Sequence, residues 1–112
     1  TVNFDVITQS VLFYTTNASG NWTLNLRGNS STTLNAFMAT GQSISLAFLV
    51  TQGSTAYYQS AVTIDGVSVT PQWQGGTAPT SGNASGVDIY TLTVIKTASA
   101  TYNVFASQTQ FK

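Results

Sequence analysis

The sequence predicts an all-β protein, built as a single antiparallel β-sandwich or jelly roll with one short helical turn. Apolar and polar residues alternate along most of the chain, as they do in half-buried strands. Turn-forming residues separate these runs about every eight to twelve residues, and no segment resembles a helix that crosses between parallel strands. The 112 residues suit one domain over residues 1–112, with enough apolar residues to form a core.

The first half of the chain contains four segments that alternate as strands do. Residues 22–26 alternate strictly between apolar and polar side chains. Residues 43–51 place four apolar side chains on one face, namely Ile44, Leu46, Phe48 and Val50. We expect a tight bend at Gln9-Ser10 to join the first two strands. The strands predicted in this half are residues 2–8, 11–16, 22–26 and 43–51.

One segment breaks the alternation and predicts a short helical turn that crosses between sheets. Between residues 29 and 41 the apolar residues recur every three or four positions, at Leu34, Phe37 and Met38. Thr32 or Thr33 can cap the start of this turn, and Gly41 can end it.

An Asp-Gly pair marks the clearest turn of the second half. Asp65-Gly66 lies between two short alternating runs, and a type I′ hairpin turn needs positive φ at both central residues. Residues 97–100 predict another turn, and residues 75–86 are rich in Gly, Ser, Thr and Pro and predict a long surface loop. The strands predicted in this half are residues 62–64, 67–69, 87–96 and 101–111.

The alternation also predicts which side chains are buried. Leu49 and Val94 fall outside this set, and we expect them to be exposed apolar residues at the surface. The predicted core consists of Trp22, Leu24, Leu26, Phe37, Ile44, Leu46, Phe48, Val62, Ile64, Ile89 and Val104.

The composition excludes several classes of function, because only six of the 112 side chains are charged and His and Cys are absent. Three cations, at positions 27, 96 and 112, cannot form the basic stripe that binds nucleic acid. The longest apolar run, Leu46–Val50, is far shorter than the ~20 residues of a helix that spans a bilayer. We therefore predict no nucleic-acid partner, no membrane insertion and no cofactor.

The carboxylates do not form a pattern typical of an enzyme. General acid–base catalysis usually relies on His or on paired carboxylates, whereas Asp5, Asp65 and Asp88 lie in different segments. Asp65 is a turn residue, and we expect Asp88 to be solvated or to cap a neighbouring amide. Asn83 and Asp88 could together hold a calcium ion, but turn chemistry explains both residues better. The sequence therefore predicts no catalytic residue and no metal site.

Three aromatic residues are the candidates for contact with a partner. Tyr57 and Tyr58 are adjacent, so in a strand they would point to opposite faces, one buried and one exposed. The exposed ring could join a subunit interface or stack on a sugar, and cross-strand packing is the simpler interpretation. Trp73 precedes Gly75-Gly76. We expect its ring to be mostly buried and to anchor the long loop, with a ligand platform as the alternative.

Several stretches resemble the C-terminal β domains of phage tail-fibre and related virion proteins, especially those of marine and cyanobacterial phages. Residues 71–80, Pro-Gln-Trp-Gln-Gly-Gly-Thr-Ala-Pro-Thr, followed by Val-Asp-Ile-Tyr-Thr-Leu at 87–92, are similar to that family's Trp-x-Gly-Gly-Thr-x-Pro loop and its Val-Asp strand. Residues 20–26 and 48–53 resemble two further strands of the family. The family's second Gly-Gly turn near the C-terminus is absent, since residues 97–101 contain only Thr, Ala and Ser.

The resemblance implies a non-enzymatic structural protein of the virion, usually oligomeric, that serves as a tail-fibre or appendage domain. It implies copies of the same chain and other virion proteins as partners, a host-surface glycan as a further one, and an extracellular particle as the location. None of the family's binding residues can be transferred, because the matching residues look structural.

Other assignments stay open at this stage. They are a capsid decoration protein, a carbohydrate-binding module and a subunit of a cell-surface filament, and the symmetry of the assembly would separate them. The chain starts at Thr1 and its only methionine is Met38. We therefore expect Thr1 to be a processed terminus or the start of a piece of a longer chain.

Overall fold

The computed structural model describes residues 1–112. They form two β-sheets packed face to face, and one short helix connects a strand of the first sheet to a strand of the second. The all-β class is thus confirmed. Nine strands are present, one more than predicted, because Gln72–Trp73 forms a two-residue strand. The strands are β1 Val2–Asp5, β2 Val11–Tyr14, β3 Trp22–Arg27, β4 Ser43–Thr51, β5 Gln59–Ile64, β6 Val67–Val69, β7 Gln72–Trp73, β8 Val87–Ala98 and β9 Thr101–Phe111, and the helix is α1 Leu34–Phe37.

The sheets are mixed, so the prediction of a purely antiparallel sandwich or jelly roll is wrong. The four-stranded sheet has the order β1-β3-β5-β6, and the five-stranded sheet has the order β2-β4-β8-β9-β7. Strand β3 runs parallel to both β1 and β5, β2 runs parallel to β4, and β7 runs parallel to β9. The remaining pairs are antiparallel.

Three of the four parallel pairs, β1–β3, β3–β5 and β2–β4, arise because the chain changes sheets at every connection from β1 to β5. After β1 the chain turns at residues 6–8 and bends again at Ser10, within the bend expected at Gln9-Ser10, and β2 then pairs in the opposite sheet. Helix α1 carries the chain from β3 in one sheet to β4 in the other, and β5 returns to the first sheet. Strands separated by a complete excursion through the other sheet point the same way when they pair, which short hairpins cannot achieve.

The core lies between the sheets and contains sixteen buried apolar residues. Trp22 of the four-stranded sheet meets Phe48 and Tyr90 of the other sheet edge to face, with ring centroids 5.8 and 5.5 Å apart. Two predicted core residues lie elsewhere: Phe37 is 46% exposed, and Ile89 is partly exposed on the outer side of β8. Ile44 is only partly buried.

Strand β8 faces the opposite way from the prediction. Its inner side carries Tyr90, Leu92 and Val94, all fully buried, so the expectation of an exposed Val94 is wrong. The outer side carries Ile89 and Ile95, which are also apolar, so the apolar pattern does not distinguish the two faces. The inner side of β8 also carries Asp88 and Lys96, the two charged residues of this strand. Because both are buried, each needs specific hydrogen-bond partners.

The predicted turns are confirmed in their positions. Asp65 and Gly66 have φ values of 52° and 81°, as the type I′ hairpin between β5 and β6 demands. Strand β9 follows β8 after a turn at Ser99-Ala100, slightly later than predicted. The short helical turn predicted within residues 29–41 is present: Thr33, one of the two predicted caps, accepts a hydrogen bond from the Ala36 amide, and the helix ends at Phe37 instead of at Gly41.

Candidate interaction surfaces

Charged side chains are bonded within the molecule instead of being distributed over its surface. Arg27 donates a 2.6 Å hydrogen bond from Nε to Asp5 Oδ1 in the neighbouring strand, and both side chains are roughly a quarter exposed, at 27% and 29%. This pair is the only salt bridge of the chain. The hydrogen bond to Asp5 raises the pKa of Arg27 above its ordinary value, so the guanidinium stays charged.

Two further charges hold the ends of α1. At the start, Asp65 accepts hydrogen bonds from the amides of Leu34 and Asn35, at 2.7 and 3.1 Å. At the other end, the buried Lys96 ammonium donates to the carbonyls of Asn35 and Met38, at 2.7 and 2.8 Å. A carboxylate at the first turn and an ammonium at the last turn satisfy backbone groups that a helix leaves free, and both suit the helix dipole.

The last aspartate is buried at the opposite end of β8 from Lys96. Asp88 is fully buried, and its Oδ2 accepts hydrogen bonds from the Asn83 amide and from Gln52 Nε2, both at 3.0 Å. The expectation that Asp88 caps a neighbouring amide is confirmed. The Asn83 side chain donates from Nδ2 to the Phe111 carbonyl. No group of three or more His, Cys, Asp or Glu residues could together hold a metal ion.

Five of the six charged side chains are therefore engaged internally, and Lys112 alone makes no hydrogen bond or ion pair. The three carboxylates lie apart: Asp5 on the outer side of β1, Asp65 in the hairpin turn and Asp88 inside the sandwich. The solvent-exposed surface consequently consists almost entirely of hydroxyl, amide and apolar groups.

The most distinctive surface is the outer side of the five-stranded sheet, which we call the five-stranded outer face. It is formed by the outward-pointing residues of β2, β4, β8 and β9, and none of them is charged. Large apolar side chains remain exposed there: Val11 56%, Phe13 51%, Phe105 42% and Phe111 51%. Between them lie Thr91, Thr93 and Ser107, so hydroxyl groups fill the centre of the face.

Cross-strand register joins the apolar residues of this face into a continuous stripe. Phe13 pairs with Leu49, and Leu49 pairs with Ile89, which places these three side chains in one row. Phe111 continues the stripe in the next row, where it pairs with Val87. Sequence reasoning predicted Leu49 as an exposed residue, whereas it is partly buried. It missed the rest of the stripe, because the stripe depends on which strands are neighbours.

Tyr57 and Tyr58 precede β5 and lie outside any strand, so alternation does not place them on opposite faces. Both are partly buried, and neither forms an aromatic ring pair. Their backbone is held by amide side chains: Tyr57 exchanges hydrogen bonds with Gln52, and the Tyr58 amide donates to Asn21 Oδ1 at 3.0 Å. Neither ring lies on the five-stranded outer face.

Trp73 lies in β7 at the edge of the five-stranded sheet and packs its ring against the core. The ring is only partly buried, contrary to the expectation of a mostly buried one, and meets Tyr90 edge to face at 6.5 Å. Gly75 and Gly76 adopt φ values of 78° and 80°, which explains the glycines by backbone conformation. The ring therefore packs against the core at the start of the loop, and its role as an anchor of that loop stays a prediction.

An open cleft of about 340 Å³ lies at the side of the sandwich, between the start of β1 and the end of β2. Trp22 and Phe48 form its apolar base, and the half-exposed Tyr14 ring packs edge to face on Phe48 at 5.2 Å. Asn17 and Asn21 lie at its rim. Nothing in its lining is charged.

Comparison of the chain with protein-family models, with curated proteins and with solved structures finds no match. The resemblance to phage tail-fibre domains therefore stays a prediction. Helix α1 has four residues, and no helix of the structure is long and apolar enough to cross a lipid bilayer.

Proposed function

We propose that this protein is a non-enzymatic structural subunit of a phage particle, a tail-fibre or appendage domain that assembles with copies of itself and with other virion proteins. The observation that carries the proposal is the five-stranded outer face, which is broad, uncharged and partly apolar. Soluble monomers rarely expose large contiguous apolar patches, and such patches usually mark interaction sites.

The distribution of charge supports an assembly role over a catalytic one. Interfaces between proteins are depleted in Lys, Glu and Asp, and here nearly the whole surface lacks them. The three carboxylates, which would be the natural acids and bases of an enzyme without His, are bonded in separate structural roles. A subunit held by neutral contacts also loses little affinity in high salt, since screening acts only on charges.

The two tyrosines and Trp73 support a glycan-binding role less well. A sugar platform needs an exposed ring face, whereas Trp73 packs on Tyr90 and both tyrosines are partly buried. The proposal therefore places the principal contact on the five-stranded outer face and treats host-surface glycan as a secondary partner.

Labelling of intact particles tests the proposed function. Antibodies raised against the purified chain are applied to particles from a culture that produces the protein, and electron microscopy locates the label. We expect label on the particle, at the tail for an appendage domain and over the shell for a decoration protein. Recovery of the protein only in the cell fraction, with unlabelled particles, would contradict a virion role.

A further inference from the structure

We infer that the five-stranded outer face packs against the same face of a second copy of this chain. The inference rests on the proposed assembly role and assigns that role to one surface and one occupant. Three properties of the face carry it: its area, its lack of charge and the self-complementary chemistry of its polar groups.

The area of the face is sufficient for a stable contact. The strands β2, β4, β8 and β9 that form the face have 4, 9, 12 and 11 residues. At ~3.3 Å per residue and ~4.8 Å between strands they outline roughly 600 Å², which is the lower end of the area, about 600–1,000 Å², that each partner buries in a stable interface. No other surface of the chain combines this breadth with four exposed large apolar side chains on one sheet.

The absence of charge favours an identical partner. When a surface meets a copy of itself, each charge near the symmetry axis faces a like charge, which opposes association. The five-stranded outer face contains no charged residue, so this penalty does not arise. A partner of opposite charge would gain nothing from this face, because it offers no charge to complement.

The polar groups at the centre of the face can also satisfy one another across a self-contact. Thr91, Thr93 and Ser107 carry hydroxyls, and a hydroxyl both donates and accepts, so hydroxyl facing hydroxyl can always form a hydrogen bond. Surfaces of Lys or of Asp lack this property. The single hydrogen bond between two side chains within the face joins Ser45 to Thr93 at 3.4 Å and leaves most of this capacity open.

Phe13 of β2 and Phe111 of β9 provide the anchors. Phe13 and Phe111 are both 51% exposed, and they lie in adjacent rows connected through Leu49 and Ile89. Aligned sheets stack at about 10 Å, which is close enough for such rings to interdigitate. Burial of aromatic anchors around a neutral centre is the usual arrangement of a stable interface.

Sedimentation of matched charge variants tests the inference. We expect the unaltered chain to associate at tens of micromolar, and Phe13→Lys to weaken the association at least tenfold. Val67→Lys is the control, because Val67 is 68% exposed in the edge strand of the other sheet. It should associate like the parent. A clean monomer for the parent at about 100 micromolar, or equal sensitivity of both variants, would overturn the inference.

A cross-linking measurement tests the same contact without Phe13→Lys, whose weaker association could also come from poor folding. The chain has no cysteine, so one introduced thiol reports a single position. Thr91→Cys lies near the centre of the five-stranded outer face, and Ser68→Cys lies on the outer side of β6. With a short bis-maleimide, Thr91→Cys should give covalent dimers and Ser68→Cys should not. The reverse result would assign the contact to the other sheet.

The two proposals fail separately. A chain that associates through this face but is absent from particles would retain the interface and contradict the virion role. A chain that labels particles but stays monomeric in solution, with no Thr91→Cys cross-link within the particle, would retain the virion role and contradict the interface.

Discussion

The two outer faces of the sandwich differ in how far their polar side chains are hydrogen-bonded to each other. On the four-stranded sheet, side chains bond sideways to each other: Asn25 donates to Asn3 at 2.9 Å and accepts from Thr63 at 2.7 Å. The Asp5–Arg27 pair lies in a neighbouring row of the same face. On the five-stranded outer face, one weak hydroxyl contact is the only hydrogen bond between two side chains, and aromatic rings are exposed. The first face is complete in the monomer, whereas the second retains its bonding capacity for a partner.

Truncation of one asparagine on each face should give the largest difference between the two faces in the free energy of unfolding. Asn25 takes part in three hydrogen bonds, including one from the Gly66 amide in the hairpin turn. Asn25→Ala should lower the free energy of unfolding by about 2 kcal/mol, since a net hydrogen bond contributes roughly 0.5–1.5 kcal/mol. Asn103→Ala, at an exposed residue of β9 on the other face, should change it by less than about 0.5 kcal/mol. Denaturant unfolding measures both, and equal losses would contradict the comparison.

The inner side of the five-stranded sheet also bonds polar groups within the monomer, and the buried Tyr90 hydroxyl provides a test. Its hydroxyl accepts hydrogen bonds from the Gln59 amide and Gln108 Nε2, and burial raises its pKa to about 12. The unfolded chain loses the Tyr90 proton near pH 10, while the folded chain keeps it. The stability is therefore fully present below pH 10 and is lost as the pH rises towards 12, by about 2 kcal/mol.

Unfolding midpoints measured between pH 9 and pH 12 check this expectation. Tyr90→Phe is the control, because it removes the titrating group and keeps the ring. The variant should be less stable at neutral pH and should show a flatter decline above pH 10. An identical decline in both proteins would assign the alkaline loss to other groups.

The Asp5–Arg27 pair should have a smaller effect and a distinct dependence on salt. Because both side chains are partly exposed, a double-mutant cycle with Asp5→Asn and Arg27→Gln should give a small favourable coupling. The coupling should shrink between 0.05 and 0.5 M salt, since screening acts on this pair. A coupling that does not change with salt would mean that the pair acts through packing.

Self-association should show the smallest change of all with salt. The contact proposed for the five-stranded outer face contains no charge, so its association constant should vary less than about twofold over the same salt range. Sedimentation at both ionic strengths measures this. A steep dependence would indicate that Lys112 or the Asp5–Arg27 pair takes part in the contact.

Local pattern predicted the strands well and their partners poorly. The bounds of β4 and β9 and the Asp65-Gly66 turn follow from alternation and turn chemistry, which are properties of neighbouring residues. The parallel pairing of β1, β3 and β5 does not follow, because alternation is the same for either direction of a neighbour. The phase of β8 was ambiguous because Ile89 and Tyr90, on opposite sides, are both apolar.

The candidate surface depended on the same missing information. Phe13, Leu49 and Ile89 are far apart in sequence and become one stripe only through strand order. The aromatic residues chosen from the sequence, Tyr57 and Trp73, stand out locally, but the structure uses both to pack the end and the edge of the sandwich. In the sequence, the residues of the stripe look like ordinary strand residues, so nothing marks them as parts of one surface.

The hydrogen bonds of Asp65 and Lys96 hold the two ends of α1, and these two clamps affect the order of folding events. A four-residue helix cannot persist alone, and its two clamps come from distant parts of the chain: Asp65 lies 31 residues after Leu34, and Lys96 lies 61 residues after Asn35. The helix can therefore close only after the hairpin and β8 have both docked. Interactions that form after the rate-limiting step leave the refolding rate unchanged and slow unfolding. A chain in which these clamps are weakened should refold at the parental rate and unfold faster. The hydrogen bonds at the ends of α1 would then control the lifetime of the folded sandwich.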